Sequence, residues 1–561
     1  MNLTQDEAVR VLWAKPSLDL SFSFLASLAI STLFSLRILS WALAERKIRK
    51  LGGHAPSAHS SADVFGFGYL VRMVKFASQD RNLEFFHDCL VSSGRTKSKN
   101  PFTYEFGILG ERRIVTASHE NIKAIHATQF NDFEKGDRFR RDWGGLLGRS
   151  IFSLDGDDWH RTRQFLRPHF SRQRVSDLEC FERHLGHLFD ILDGGKTVDV
   201  ADVMARFAFD AAADFSLGID VRSLTNPSHT FIEAFDRVHS TQTLIEYLNP
   251  LGWYLVPRWQ YNRDLATMDA FVQPVLDAAL ALSDERKAEM SLGGEPEKEG
   301  KFSFLKACAE ISRDKKFLRD ELVTIMLAAR DTTAMTLAWC LFELARSPAI
   351  VEDLRAEILS RIGQENLPTY EDLKDLRLLS WILNETLRLY PSIPYNARVA
   401  ARDTSLPVGG GPSGKDPIGV PKGTLIYTCP HVLHLRGDLY PEENEYPLDQ
   451  FHPRRWQKWR PAAWTYIPFG GGPRTCIGQQ FVLVQMSYVL VRLFQRYTGL
   501  DPMHEKTRAG AQADNKRVNT SCTAAKTSLV EDYMMSRPRM KSEITLGPRS
   551  SINLRFESQN E

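Results

Sequence analysis

The 561-residue sequence predicts a mainly α-helical protein with a smaller β region, preceded by a single N-terminal transmembrane helix. Three observations carry that reading. From Leu20 to Leu36 no residue is charged, and the apolar run continues through Ile38 to Ala44 past a lone Arg37, close to the length a bilayer core requires. A long helical pattern begins at Asp320 and runs to about Ser347, where Pro348 interrupts it. Short alternating segments around Tyr104 to Val115, with helical periodicity following from Glu120, supply strands.

Residue usage is ordinary for a globular chain, 43% hydrophobic and 25% charged. A prior of about 150 residues per domain suggests three or four domains, but no long linker interrupts the middle of the chain. The net charge of +2 argues against nucleic-acid binding, which needs a domain-wide basic excess. Seven scattered cysteines (Cys89, Cys180, Cys308, Cys340, Cys429, Cys476, Cys522) contain no Cys-x-x-Cys pair, which points to a reducing compartment and away from a zinc or disulfide framework.

Arg37 lies off-centre in the apolar run, so its guanidinium can reach the interface and avoid much of a midplane cost of about 2.5 to 3.5 kcal/mol. The stretch Glu45-Arg46-Lys47-Ile48-Arg49-Lys50 follows the run, and this positive flank should stay cytosolic. A cleavable signal peptide would carry its basic segment before the run instead. Residues 1–19 are then a short luminal terminus, 20–44 a signal-anchor helix, 45–61 a basic linker with a hinge at Leu51–Ser57, and 62–561 the globular body. Ser23, Ser27, Ser31 and Ser35 share one face of the anchor; such small residues admit a partner helix or bond the carbonyl one turn back.

Within the body, Trp159 and Arg163 lie four apart on one helical face, behind acidic residues that suit a helix amino end. A surface arginine stacked on a tryptophan would look the same. Residues Ser240 to Trp259 form an aromatic and aliphatic cluster broken by Pro250 and Pro257, and 284–301 reads as a solvated loop. The centre of the long helix, Leu327-Ala328-Ala329-Arg330-Asp331-Thr332-Thr333-Ala334, is too polar and β-branched for a plain buried helix. Such local inconsistency is expected at functional sites. Glu385 and Arg388 are three apart on a later helix and can pair. An apolar helix ends near Tyr497; residues 501–540 are polar enough for an exposed insertion, and Ile544–Pro548 with Ile552–Phe556 read as a closing strand pair.

The chemistry-bearing stretch is Phe469-Gly470-Gly471-Gly472-Pro473-Arg474-Thr475-Cys476-Ile477-Gly478. A thiolate binds metal, and a cysteine at a helix start gains backbone N–H donors and the positive end of the dipole. The glycines let backbone turn sharply and approach a flat group, and Arg474 can reach a carboxylate with a charge-assisted bond. A glycine-rich turn followed by a buried structural cysteine is the plainer alternative.

Phe469, Gly472, Arg474, Cys476 and Gly478 together match the haem-ligand loop of the cytochrome P-450 haem-thiolate monooxygenases, and the resemblance extends from about residue 60 to 500. It implies the cytochrome P-450 fold, with haem b (iron protoporphyrin IX) held between the Asp331 helix and the loop. It makes Cys476 the iron ligand and Phe469, Arg474 and Gly478 parts of the cofactor loop, with Trp159, Arg163 and Arg398 gripping propionates. Asp331 and Thr332 match an acid and threonine that escort protons at a bulge in the helix, with Ala329 replacing the usual glycine. The resemblance also implies that Glu385, Arg388 and Arg455 form a structural clamp, and Arg454 stands where the family commonly has glutamate.

Residues 240–259 would be a lid over the substrate channel that dips into lipid, and Ile393 to Tyr395 a substrate-contacting segment. The wording of 328–334, 384–391 and 477–492 resembles the fungal alkane and fatty-acid hydroxylases. That implies insertion of one oxygen atom of O2 into a C–H bond of a long aliphatic chain, at or near its terminus. Electrons would come from NADPH through a flavoprotein, NADPH-cytochrome P-450 reductase, on the cytosolic face of the endoplasmic reticulum membrane. Arg454, Arg455, Lys458 and Arg460 would form its docking face or a plain solvated one. Tailoring of a fungal polyketide or terpenoid, a haem-thiolate isomerase or dehydratase, and a non-catalytic membrane haem-binding protein stand as alternatives.

Overall fold

Helix α1 (Phe22–Leu51) is long and apolar enough to cross a bilayer over Phe24–Leu51, with mean hydropathy 1.5. The computed structural model describes residues 22–58, 66–92, 102–108, 110–171, 177–226, 228–248, 251–291, 303–441, 445–502 and 538–558. Residues 45–51, expected in a linker, continue α1 and dock on the body: Ile48 is buried, and a Cβ at Gly419 would stand 2.2 Å from the Ile48 carbonyl oxygen. The expected hinge is pinned as well. His54 sits 2.5 Å from Glu105 through Nδ1 and 2.9 Å from Glu45 through Nε2, and the Ala58 N–H donates to the Glu105 carbonyl at 2.9 Å.

Among the described residues the strands are β1 (Thr103–Ile108), β2 (Glu111–Thr116), β3 (Phe133–Glu134), β4 (Val198–Asp199), β5 (Asn396–Ala400), β6 (Thr404–Gly410), β7 (Asp416–Val420), β8 (Leu425–Thr428), β9 (Tyr497–Pro502), β10 (Met540–Ser542), β11 (Leu546–Pro548) and β12 (Asn553–Ser558). The main sheet has the order β1-β2-β8-β5-β3, with β2 and β8 parallel, and β6 pairs with β7. The expected closing pair is corrected here. Its two segments are strands of different sheets: β11 pairs with β10, while β12 pairs with β9 and β4. The helical core takes up the β11 backbone, since Leu546 N–H donates to the Ser392 carbonyl and Leu546 oxygen accepts from Trp339 Nε1 at 3.1 Å. Asp501 and Pro502 extend β9, and 503–537 of the expected insertion lies outside the described residues.

Seven further helices position the site: α2 (Gly156–Leu166), α3 (Val200–Leu217), α4 (Thr230–Tyr247), α5 (Trp259–Ser291), α6 (Lys315–Ala345), α7 (Arg377–Leu389) and α8 (Gln479–Arg496). Helix α6 starts before the expected Asp320 because Asp314 caps it, accepting from the N–H groups of Lys316 and Phe317. The helix ends at Ala345, before Pro348 as expected, and Pro348 itself begins the next helix. The alanines of α3 at 208, 211, 212 and 213 are buried, and their small side chains let α3 lie closely along α6. Residues 284–291 of the expected loop continue α5. Trp259–Asp284 is also long and apolar enough for a span, but Tyr261, Met268, Val272 and Leu276 are buried in the core.

Candidate active site

The loop before α8 leaves the Cys476 side chain accessible. Its neck closes where the Cys476 N–H donates to the Phe469 carbonyl at 3.0 Å, and Thr475 braces Gly472 through backbone N–H and hydroxyl. Gly472 has φ +68°, and a Cβ there would stand 1.8 Å from the His126 carbonyl oxygen, so the turn admits only glycine. Gly478 has φ −87°, and a Cβ there would touch only Phe170, at 3.8 Å. The protein itself therefore leaves that position open, beside the sulfur. Among the described cysteines, only Cys476 is exposed. Burial raises the thiols of Cys89 to about 11 and of Cys340 and Cys429 to about 12. Cys476 is accessible and yet raised by burial, which fits a side chain facing an interior cavity; the Gly478 N–H and Arg163 act in the opposite sense.

Beside the loop the fold crowds cations. Arg163 donates to the Thr475 carbonyl at 2.8 Å and packs over Trp159, and Arg474 stacks on the same indole, 4.5 Å from its centroid. Arg398 on β5 is buried, its Nη1 donating to Asn396 Oδ1 and the Ala397 carbonyl. Burial, with Arg474 next, pushes Arg398 down to about 9. The sequence reading missed two members of this group. Lys135 lies well below the usual lysine range through burial and the nearby Arg398 and Arg474, and His126 is lowered by burial and the same charges with Lys135. It also missed the carboxylate that organises them. Asp155, the N-cap residue of α2, accepts from the N–H groups of Lys135 and Gly136 and from Arg140 and Arg474. One carboxylate facing several half-desolvated cations leaves a site that fits further anionic groups.

Helix α6 supplies an opposite wall. From Leu318 to Ala345 every residue is buried except Ala328, Ala329, Thr332 and Met335, which follow helical spacing along one face. The helix is unbroken here, and the expected bulge is absent. Thr332 Oγ1 donates to the Ala328 carbonyl at 2.6 Å and Thr336 Oγ1 to the Thr332 carbonyl at 2.7 Å, so both hydroxyls are satisfied inside a regular helix. Asp331 is buried, with Arg330 at 3.6 Å and His239 of α4 at 3.5 Å.

The clamp forms around a fully buried carboxylate. Glu385 accepts from Arg388 Nε and Nη2 at 2.8 and 2.9 Å, Arg455 Nε at 3.1 Å, the His452 N–H at 3.0 Å and Trp456 Nε1 at 2.9 Å. Burial pushes its pKa up, but the two arginines and the amide pull it below the usual range. Trp456 is a member that spacing alone did not reveal. Arg454 takes no part: it pairs with Asp353 at 2.5 Å on the surface.

At the rim, Asn82 Nδ2 donates to the hydroxyls of Tyr247 and Tyr395 at 2.8 and 2.9 Å and to the Ser542 carbonyl at 3.1 Å, joining the end of α4 to the segment before β5 and to β10. Leu244, Leu251, Tyr254, Leu255 and Trp259 face outward, Tyr254 and Trp259 more than 70% exposed. Phe67, Val71 and Val74 form a second outward apolar face on the helix Phe67–Ala77.

An accessible sulfur behind a glycine turn, an apolar wall and a cation cluster short of anions fit a flat, dicarboxylate-bearing iron macrocycle. The comparisons agree. A family profile described as cytochrome P450 matches residues 98–511. The chain is 43% identical to the cytochrome P450 monooxygenase pvhE of Talaromyces variabilis over 82% of this chain and 87% of that protein. It is 37% identical to the monooxygenase alt2 of Alternaria solani over 73% and 80%, and 38% identical to cytochrome P450 52A1 of Candida tropicalis over 71% and 75%. From the matched profile, the relatives and the cysteine loop with its cation cluster together, we conclude that this chain belongs to the cytochrome P450 family of haem-thiolate monooxygenases.

Proposed function

We propose that the protein is a membrane-anchored hydroxylase that oxidises a long-chain alkane or fatty acid at or near its terminus, using O2 and electrons from NADPH through a flavoprotein reductase. The observation that carries the site assignment is the accessible Cys476 sulfur beside the Lys135, Arg398 and Arg474 cation cluster. Cys476 would ligate the haem iron, with Arg163, Arg398, Arg474 and Lys135 receiving the propionates and Trp159 and Phe469 packing beside them. When bound, the haem supplies activation of dioxygen, with the thiolate donating electron density to iron. The chain's own work is binding and electrostatics. The apolar α6 face at Ala328, Ala329 and Met335 excludes water and accepts an aliphatic chain, while Asp331 delivers protons toward Thr332. Glu385, Arg388 and Arg455 keep the segment before the cysteine loop rigid.

The chain-hydroxylase reading rests on the resemblance of 328–334, 384–391 and 477–492 to that branch; fungal secondary-metabolite tailoring is the rival within the family. In the proposed topology 1–19 is luminal, 20–44 spans the endoplasmic reticulum membrane and 62–561 is the cytosolic catalytic domain, with the apolar lid around Tyr254 and Trp259 resting on lipid. The test is the carbon monoxide difference spectrum of the reduced protein, followed by laurate and dodecane turnover with reductase. The red-shifted thiolate band should appear and should vanish in Cys476→Ala. Its absence from the native protein overturns the site; turnover of a polyketide with no laurate binding shift overturns the substrate.

A further inference from the structure

We propose that His239 is a positioning and relay residue that carries protons from solvent to Asp331. The inference rests on the reading of Asp331 as a proton donor and extends it to residues outside the haem pocket. Three elements meet at this imidazole. It lies on α4, 8% exposed. Its Nε2 stands 3.5 Å from Asp331 Oδ2 of α6, and its Nδ1 stands 3.8 Å from Glu543 Oε2 in the turn between β10 and β11. Nε2 is buried with no hydrogen-bond partner. An imidazole whose two nitrogens face two different carboxylates, at 3.5 and 3.8 Å, can take up a proton on one side and release one on the other.

The outer end of the path is wet. The Glu543 side chain is 24% exposed and pairs with Lys541, whose own side chain is 42% exposed. The inner end is the Asp331 carboxylate, one residue before Thr332. A proton taken up by Glu543 passes to Nδ1, the imidazolium releases its other proton from Nε2 to Asp331, and a flip of the ring restores the starting tautomer. One proton enters and one leaves, with no electron moved. The other charged or titratable groups facing this junction are Arg330 of α6, which pairs with Asp236 of α4 at 2.5 Å, and Tyr247, which donates to the Ser542 carbonyl. Because Asp236 and His239 occupy one face of α4, movement of α4 would break both contacts to α6 together, linking proton supply to the closed lid.

The test compares His239→Gln, which keeps size and hydrogen bonding but cannot shuttle, with Asp331→Asn in the haem-loaded full-length protein. Four readouts are taken: peroxide released per dioxygen consumed with NADPH and reductase, the solvent isotope effect on kcat, the affinity read from the substrate-induced spectral shift, and the unfolding coupling between the two substitutions. His239→Gln should cut product per NADPH by about tenfold, below the full range of acid–base effects because water partly substitutes. Peroxide release and the isotope effect should rise and substrate affinity should stay unchanged. A coupling of several-fold in the unfolding constant should be present between the two substitutions. If Asp331→Asn shows these effects and His239→Gln does not, the relay is overturned and the acid stands. If neither does, the reading of Asp331 falls and the relay with it. A weakened spectral-shift affinity with unchanged peroxide release would also overturn the relay, leaving His239 a packing residue.

Discussion

Arg455→Ala should destabilise the protein by about 3–5 kcal/mol, the cost of breaking a buried ion pair from one side, whereas Arg454→Ala next to it should cost about 1 kcal/mol or less. The Arg455 side chain is fully buried, pairs with Glu385 at 3.1 Å and donates to the carbonyls of Tyr446 and Pro447 at 3.1 and 2.7 Å. Truncation strands those two carbonyls and part of a carboxylate. Arg388, the His452 N–H and Trp456 still hold Glu385, which places the expectation toward the lower end. Arg454 and its partner Asp353 are 56% and 46% exposed, so water and salt screen their attraction. A loss of about 3 kcal/mol is a change of more than 100-fold in the unfolding constant. Arg455→Lys, which keeps the charge but loses the fork, should fall between the two. The assay is urea unfolding of the full-length protein in detergent, followed by the Soret band and circular dichroism. Equal costs at 454 and 455, or an Arg455→Ala loss below 1 kcal/mol, would refute the clamp.

A second expectation concerns pH. Burial raises the Glu321 carboxyl to about 8, its Oε1 accepting only the Ile151 N–H and its Oε2 unpaired. The folded state then holds one more proton than the unfolded chain between about pH 4.5 and 8, so this group's stability contribution falls as pH rises through that window, by as much as ~5 kcal/mol. Glu321→Gln should flatten the stability slope between pH 5 and 8.5 measured by urea unfolding; parallel slopes would count against it. Lipid contact at the lid makes a third. Brominated lipids should quench Trp259, which is 72% exposed, and Trp259→Phe should lower the quenchable share of tryptophan emission in proteoliposomes; an unchanged share means that the lid stands clear of the bilayer.

The features readable from the chain were those set by short-range spacing. Trp159 with Arg163, Glu385 with Arg388, and the glycine turn into Cys476 each lie within a turn or two of backbone, so helix geometry alone brings them together. Apolar periodicity likewise revealed α1 and α6 but not their ends. Asp314 starts α6 earlier than its apolar pattern, and contacts with β7 and Glu105 extend α1 and pin the residues after it.

What the sequence by itself determined was the family, the glycine turn into Cys476 and an N-terminal helix long and apolar enough to cross a bilayer, because these reside in residue type and local register. Tertiary structure decided the rest. Lys135, His126 and Asp155 join Arg474 and Arg398 only because α2, β5 and the loop converge; Trp456 reaches Glu385 across 71 residues of chain. The Thr332 hydroxyl is committed to a regular helix that propensity gave no reason to expect. The last strands part because α6 and Ser392 bind the β11 backbone while β9 offers β12 a free edge. Each is a contest between partners distant in sequence, settled by which elements pack side by side, and spacing along the chain carries no record of that.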